Sequence, residues 1–288
     1  MADSPKPQIF NHTLTCYETS GQWMPLLENC SWKRAGEMFR DKKIALIPVG
    51  ATEQHGPHLP LGTDFFTAKA LAEAAAGKTG AICTPVIPIG VSSHHKQFWG
   101  TLWVSPETFR HYMYEVSISL GSHGVRRIIF VNGHGGNLAS LQEVSRTLRL
   151  EKLNSLIFQW WTNPSSIELQ RQLFKSKGSH AGATETSMVL AIRPELVESG
   201  KYDEAAKGAS AEFGIAKFGT QLPVDTLDFS QSGASLDPRE ATVQAGNQLF
   251  QAAEETLVSL IRWFEKATDN ELEPKPHKEL DSLNPKPS

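Results

Sequence analysis

The sequence predicts an α/β fold, with a central, mostly parallel sheet covered by helices on both faces. Two observations carry this. Short apolar runs alternate with longer stretches of helical pattern between residues 43 and 192, and such alternation favours a parallel sheet buried on both sides. The 288-residue chain is also 40% hydrophobic with seven Trp, enough apolar surface for one sizeable core.

Residues 43–50 are an apolar run closed by Gly50, followed by a polar loop to about 63 and an Ala-rich stretch at 65–76. This is a β-loop-α unit. A second apolar run, 81–89, precedes a loop over 90–104. Ser105 as N-cap and Pro106 as first helical residue then open an amphipathic helix to about 122. Residues 127–132 read as the third strand, 133–136 as its turn and 137–150 as the next helix. A fourth strand covers 154–161 and ends near Asn163 and Pro164. A short helix from 182 or 183 to 192 is stopped by Arg193 and Pro194, since proline cannot continue a helix and restricts the residue before it. Residues 200–238, rich in Gly, Ser and Asp, are expected to form an irregular excursion over the surface or toward a neighbouring subunit. A last helix occupies 241–266. The expected organisation is an N-terminal arm and first helix over 1–40, one domain over 41–267, and a disordered polar tail over 268–288, where four prolines fall.

Charge and composition narrow the partners. With 28 basic against 31 acidic residues, nothing electrostatic favours nucleic acid or an anionic membrane surface. No stretch approaches the roughly 20 apolar residues of a membrane span, and no basic segment followed by an apolar run opens the chain. Cys16, Cys30 and Cys83 are too few for a disulfide scaffold. The expectation is a soluble, cytoplasmic protein acting on a small molecule, without nucleic-acid or membrane partners.

Ten histidines lead further. Six of them, His55, His58, His94, His95, His134 and His180, lie close to Gly or Pro in segments that read as loops, and loops on a rigid scaffold concentrate catalytic residues. Ligands of open parallel sheets bind beyond the carboxyl ends of the strands. The loops after the first three strands can therefore bring Glu53, His55, Asp64, His94, His95 and His134 together, although they span about 80 positions of sequence.

Glu53 and His55 are two apart, on one side of extended backbone, and Asp64 follows just before a helix. One imidazole and two carboxylates suit Zn, Mn or Fe. The bland alternative has Asp64 capping the helix and the other two solvated. Gly133, His134, Gly135 and Gly136 end a strand and present an imidazole with almost no surrounding bulk, as a metal or substrate approaching the backbone requires. Their spacing does not match a phosphate-binding glycine loop. In the last cluster His180 precedes a helix and Glu185 lies in its first turns, where a carboxylate is favoured by the helix dipole.

The run from Ile47 to Asp64, the block of Gly90 to His95 with Gly100, Thr101 and Leu102, the turn from Asn132 to Asn137, and the cluster from Ser179 to Ser187 together resemble the creatininase (creatinine amidohydrolase) family. Gly233 to Thr242 is similar to the family as well. The resemblance implies a three-layer α/β/α fold, a site for two divalent metal ions, zinc first with manganese or iron as alternatives, and a homo-oligomer, usually a hexamer. It implies that Glu53, Asp64 and His134 hold one metal and that His55 and Asp64 hold the other, with Asp64 bridging and His180 as catalytic acid/base. Creatininase itself adds a glutamate two residues after the histidine of the turn, where this chain has Gly136. Relatives with the glycine form use the glutamate of a later Glu-Thr pair, which makes Glu185 the replacement ligand and, with His180, a catalytic candidate. The aromatic residue following the turn histidine is replaced by Gly135, and the tryptophan before the catalytic histidine is missing within 174–178. His94, His95 and Trp99 are read as substrate-pocket or subunit-contact residues, and Gly135 and Gly136 as leaving that pocket roomy.

The implied function is metal-dependent hydrolysis of a non-peptide C–N bond, cyclic amide or formamide-like, in a small molecule. Opening of an oxidised inositol ring at a C–C bond is the second reading, and a non-catalytic metal-binding protein of the same fold the third.

Overall fold

Strand β1 (Ile44–Val49) is buried along its whole length, as the continuous apolar run requires of a central parallel strand. In the computed structural model it lies between β2 (Ile82–Cys83) and β3 (Arg127–Asn132), with β4 (Asn154–Gln159) beyond, in the order β2-β1-β3-β4, all parallel. The structure describes residues 24–175, 180–210, 212, 214–272, 274, 275, 277 and 278. Register aligns Val49 with Asn132 and Asn132 with Gln159. Three strands therefore end in one row, from which their loops leave together.

Helices cover both faces, giving the three-layer α/β/α architecture. On one face α1 (Trp32–Asp41), α3 (Pro106–Ser122) and α4 (Leu138–Leu150) bury Met38, Phe109, Met113 and Leu141 against Ile47, Ile128 and Phe130. On the other face α2 (Thr63–Thr79), α5 (Pro164–Leu173), α6 (Ala183–Ile192) and α8 (Val243–Lys266) bury Leu71, Leu249, Leu257 and Phe264 against Leu46, Ile129 and Phe158. A Cβ at Gly246 would overlap the Ser187 carbonyl, so α8 crosses α6 at backbone contact. The Ser105 hydroxyl accepts the Thr108 N–H at 3.1 Å, capping α3 as its sequence predicts.

Several expectations change. The run 81–89 gives only two residues of regular strand. Pro85 and Pro88 lack N–H donors, and the chain continues beside β1 through isolated pairings such as Val49 with Ile87. Asn163 and Pro164 do not end an extended segment but start α5. The Asn163 side chain accepts from Ser166 N at 3.0 Å and Pro164 takes the first helical position. The stretch 200–238 contains α7 (Tyr202–Gly208) and a small hairpin of β5 (Ala216–Lys217) and β6 (Thr220–Gln221). Rather than only skirting the surface it returns to the site, where Ser235 N bonds the His180 carbonyl at 2.9 Å. Beyond residue 267 the expected tail begins with one more helical turn, α9 (Asp269–Leu272), and Arg149 Nε donates to the Leu272 carbonyl at 2.9 Å. The arm before residue 24 with Cys16, residues 176–179, and the tail at 273, 276 and 279–288 lie outside the described residues. Among the described residues no helix is long and apolar enough to cross a membrane.

Candidate metal centre

Asn137 ties three loops at the carboxyl edge of the sheet. Its amide nitrogen donates to the Gly50 carbonyl at 3.0 Å and its amide oxygen accepts from Val91 N at 2.9 Å, while Asn132 Oδ1 lies 3.3 Å from the same amide nitrogen. The loop after β1 is closed by Glu53 N bonding the Leu61 carbonyl at 3.0 Å. A Cβ at Gly133 would overlap the Asp64 carbonyl oxygen. The turn after β3 thus passes directly over the first turn of α2, which only glycine permits.

This backbone packing gathers Glu53, His55, Asp64 and His134, all buried. Asp64 is not a helix cap: Gly62 occupies that position and Asp64 sits inside the first turn. Its two oxygens face different imidazoles, Oδ1 lying 3.0 Å from His55 Nε2 and Oδ2 3.1 Å from His134 Nδ1. Glu53 Oε1 is 3.2 Å from His134 Nδ1. Glu185, one-fifth exposed, brings Oε2 to 3.7 Å from His55 Nε2 while accepting the Ala181 N–H at 2.6 Å. Ala181 takes a left-handed conformation, φ 55°, which bends the chain into α6.

The outer nitrogens of both imidazoles are pinned by carbonyls. His55 Nδ1 donates to the Glu53 carbonyl at 3.1 Å and His134 Nε2 to the Val91 carbonyl at 3.0 Å. Each ring therefore turns its other nitrogen inward, the arrangement that orients metal-ligating histidines. Ligand atoms of His55, Asp64 and Glu185 lie within 4.8 Å of one another, as do those of Glu53, His94 and His134, and of Glu53, His55 and His180. Glu53 Oε2 is buried without a hydrogen-bond partner among the described residues, a costly state for a carboxylate oxygen. The donor set is all nitrogen and oxygen, the chemistry of Zn, Mn or Fe.

Charge in the cluster is lopsided. Burial alone would strip the proton from His55, but Asp64, Glu185 and Glu53 overturn it and lift its pKa to about 10. His134 is likewise raised against burial by Glu53 and Asp64. Asp64 is held below the usual carboxylate range, because the His55 and His134 charges outweigh burial. Burial raises Glu53, and raises Glu185 to about 7. Protons on two imidazoles thus stand where a buried anionic cluster calls for cations.

Beside the cluster opens a cavity of about 450 Å³. His94, His95, His134, Gly135, Gly136 and His180 line it, so the structure brings these predicted residues together. Trp99 is not among them. Its side chain is 98% exposed, at the rim of a separate depression with Phe98 and Leu61, because the loop after residue 95 turns outward. Burial, then the neighbouring His55 charge, pushes His180 well below its ordinary pKa. Burial likewise depresses His95, and lowers His94 to about 4. His180 Nδ1 points toward Glu53 Oε1 at 3.7 Å and His95 Nε2 toward the same oxygen at 3.5 Å.

Four residues escaped the sequence reading. Trp160, Trp161 and Gln170 line the same cavity as the histidines. The strand-end rule that found the first three loops applies equally to β4, which delivers the two tryptophans. Gln54 sits between Glu53 and His55, with its amide on His95 and His180; a single polar loop residue carries no signal of such contacts.

The fold and this buried carboxylate–imidazole cluster define an α/β protein built around a candidate metal centre. A family model described as creatinine amidohydrolase matches residues 28–261, and the chain belongs to the creatininase family. It is 34% identical over 252 residues to the mycofactocin precursor peptide peptidase of Mycobacterium ulcerans (strain Agy99), covering 83% of this chain and 93% of that protein. It is 30% identical over 208 residues to the 3-dehydro-scyllo-inosose hydrolase of Thermotoga maritima, covering 68% of this chain and 65% of that one. A solved zinc–zinc form of a creatininase mutant superposes with a TM-score of 0.71 at 23% identity, covering 83% of this chain and 97% of that one.

Proposed function

We propose that this chain is a metal-dependent hydrolase that directs water at a non-peptide C–N bond, cyclic amide or formamide-like, of a small molecule. One observation carries the reading: the two oxygens of buried Asp64 face two imidazoles whose outer nitrogens are pinned by carbonyls. This supports Asp64 as a bridge, with Glu53 and His134 on one side and His55 and Glu185 on the other. Two divalent ions, zinc first and manganese or iron as alternatives, would supply ionised water at neutral pH and polarise the scissile carbonyl.

The chain's own residues do the rest. His55 and His134 present Nε2 and Nδ1 respectively, each fixed by the bond its other nitrogen makes. His180 stands at the cavity edge, where it can hold a proton and hand it to the leaving nitrogen as the C–N bond breaks and the water oxygen stays on carbon. Trp160 and Trp161 line the same cavity and give it apolar surface that limits water.

Opening of a keto-inositol ring at a C–C bond is the second reading. It is favoured by the space at Gly135, where a Cβ would meet nothing within 4 Å, room for a polyhydroxylated ring. Exposed Trp99, Leu102 and Trp103 suit the contacts of a homo-oligomer.

The test is metal content together with a substrate panel of creatinine, N-formyl compounds, a short peptide and keto-inositols, each with Zn or Mn, for wild type and Asp64→Ala. The wild type is expected to bind metal and turn over an amide or formamide, and Asp64→Ala to lose both. Full metal content and turnover in Asp64→Ala would defeat the reading; metal retained by the wild type without turnover of any compound would favour a non-catalytic protein.

A further inference from the structure

The side-chain amide of Gln54 can point only one way. Its oxygen accepts the Gly56 N–H at 2.9 Å and its nitrogen donates to the Gly233 carbonyl at 3.1 Å. A backbone N–H and a backbone carbonyl have fixed roles, so these two bonds settle which end of the amide is nitrogen, the usual ambiguity of such groups. Gly233 has φ 78°, and a Cβ there would overlap the amide oxygen. The amide is therefore clamped between two loops.

That nitrogen, a donor only, lies 2.8 Å from His95 Nδ1 and 2.9 Å from His180 Nε2. His180 Nε2 is also 2.9 Å from the backbone carbonyl of Gln54, an acceptor only. One ring nitrogen cannot satisfy both. If His180 Nε2 carries its proton it donates to the carbonyl, and the amide's remaining hydrogen goes to His95 Nδ1, which must then be bare. The converse assignment leaves the buried Gln54 carbonyl without this donor and His95 Nδ1–H pointing at an N–H₂ group. Thr226 Oγ1, 2.9 Å from the same His95 nitrogen, can donate there too. The first assignment gives the buried Gln54 carbonyl a donor and the remaining amide hydrogen an acceptor.

We propose that Gln54 is a positioning residue that sets the Nε2–H tautomer on two adjacent histidines that face it through different nitrogens: its backbone carbonyl accepts from His180 Nε2–H, and its amide donates to a bare His95 Nδ1, leaving His95 protonated at Nε2. His180 then turns a bare Nδ1 toward Glu53 and the cavity, able to accept a proton. His95 turns an N–H toward the same place, able to donate to a substrate oxygen. The two rings stack with centroids 4.5 Å apart and planes 23° apart, so one residue prepares an acceptor and a donor side by side. The assignment of acceptor and donor to reaction roles rests on the hydrolase reading above; the tautomers themselves do not.

The experiment is solid-state ¹⁵N NMR of the zinc-loaded full chain labelled at histidine, with the two rings assigned from His95→Gln and His180→Gln. The wild type is expected to show His95 bare at Nδ1 and His180 bare at Nδ1 with a protonated Nε2. In Gln54→Met the His95 signal should shift to include an Nδ1–H population, because the Thr226 hydroxyl alone can accept as readily as donate. The His180 signal should stay, because its carbonyl partner is main chain. On any compound the wild type hydrolyses, kcat should fall about 10–100-fold with metal content unchanged. A wild-type spectrum with His95 protonated at Nδ1, or His180 bare at Nε2, overturns the proposal even if Gln54→Met does not fold. A His95 signal unmoved in folded Gln54→Met overturns it as well. The spectrum needs no turnover, so failure of the hydrolase reading would be seen separately.

Discussion

Replacing Gly136 by alanine adds one carbon at the tightest point of the proposed centre. Its Cβ would intrude between the Val91 carbonyl oxygen and His134 Nε2, atoms that hydrogen-bond at 3.0 Å. Real Cβ contacts essentially never fall below 3.0 Å, so both partners must retreat by at least about 0.6 Å. Neither can retreat cheaply. Val91 is held from behind by its own N–H on Asn137, and His134 faces Glu53 and Asp64 on its far side. Overpacking of this kind costs about 1–3 kcal/mol, and separating the ring from its carbonyl adds about 1–3 kcal/mol if the buried N–H stays unpaired. Because the lost partner orients a proposed ligand, zinc affinity should fall about 10–100-fold. Alanine at Gly135 is the matched control, since its Cβ meets nothing within 4 Å. The assay is competitive zinc titration against a chromogenic chelator, alongside urea denaturation of the metal-free proteins. Gly135→Ala should match the wild type in both, whereas Gly136→Ala should be weaker in both. Equal zinc affinity in the two variants would refute the reasoning that the Val91 bond sets the His134 ring.

Two further outcomes follow from the geometry. His58 is buried, with Nε2 2.9 Å from Thr186 Oγ1, and burial followed by the His55 charge lowers its pKa from 6.5 to about 4. The unfolded chain therefore binds this proton first, so the stabilisation is complete above pH 6.5 and drains away as pH falls toward 4, up to about 3 kcal/mol. His58→Gln should flatten the stability profile across that window, and a variant that loses stability on acidification as steeply as the wild type would count against it. Asn137→Ala removes bonds to Gly50 and Val91 at once and should cost about 2–4 kcal/mol in urea denaturation. A loss under about 0.5 kcal/mol, the scale of an ordinary surface change, would show that the three loops do not depend on this residue.

What the sequence made legible was local. Ser105 with Pro106 marks the start of α3 within a residue, and the apolar run 44–49 is central strand because nothing in it could face water. The same cap-and-proline signal at Asn163 and Pro164 was legible too, but read as an ending it hid α5 and with it Gln170. The strand expected over 81–89 failed at Pro85 and Pro88, whose missing N–H groups limit the ladder to Ile82–Cys83. At the candidate site, Glu53, His55, Asp64 and His134 stood out by residue type and spacing and Glu185 by the family resemblance, and the structure brings the five into one cluster. Gln54 was not, because its meaning lies in partners 41, 126 and 179 positions away. Of the two readings of Trp99, the pocket one does not fit, because the chain turns outward before reaching it and leaves the ring exposed; the subunit-contact reading stays a proposal.

The absence of a side chain at 136 and the carboxylate at 185 are best understood as one arrangement rather than two departures. With His134 Nε2 on the Val91 carbonyl, the volume beside residue 136 is already filled by that bond. A glutamate there could not reach the centre without breaking the contact that aims His134 Nδ1 at Glu53 and Asp64. On the two-metal reading proposed above, the carboxylate for the His55 side would come from another element, and α6 begins there. The left-handed turn at Ala181 and the 2.6 Å bond from its N–H to Glu185 Oε2 hold that carboxylate over His55 from the first turn of the helix, where the dipole also favours its charge. The exchange has a consequence on the cavity side. Freed of a bulky neighbour at 136 and with open space at 135, the pocket has Trp160 and Trp161 among its lining. On the hydrolase reading proposed above, Trp160, Trp161 and the space at Gly135 and Gly136 are the features of the cavity that would sort substrates, and the buried carboxylates of Glu53, Asp64 and Glu185 the charge that would hold its cations.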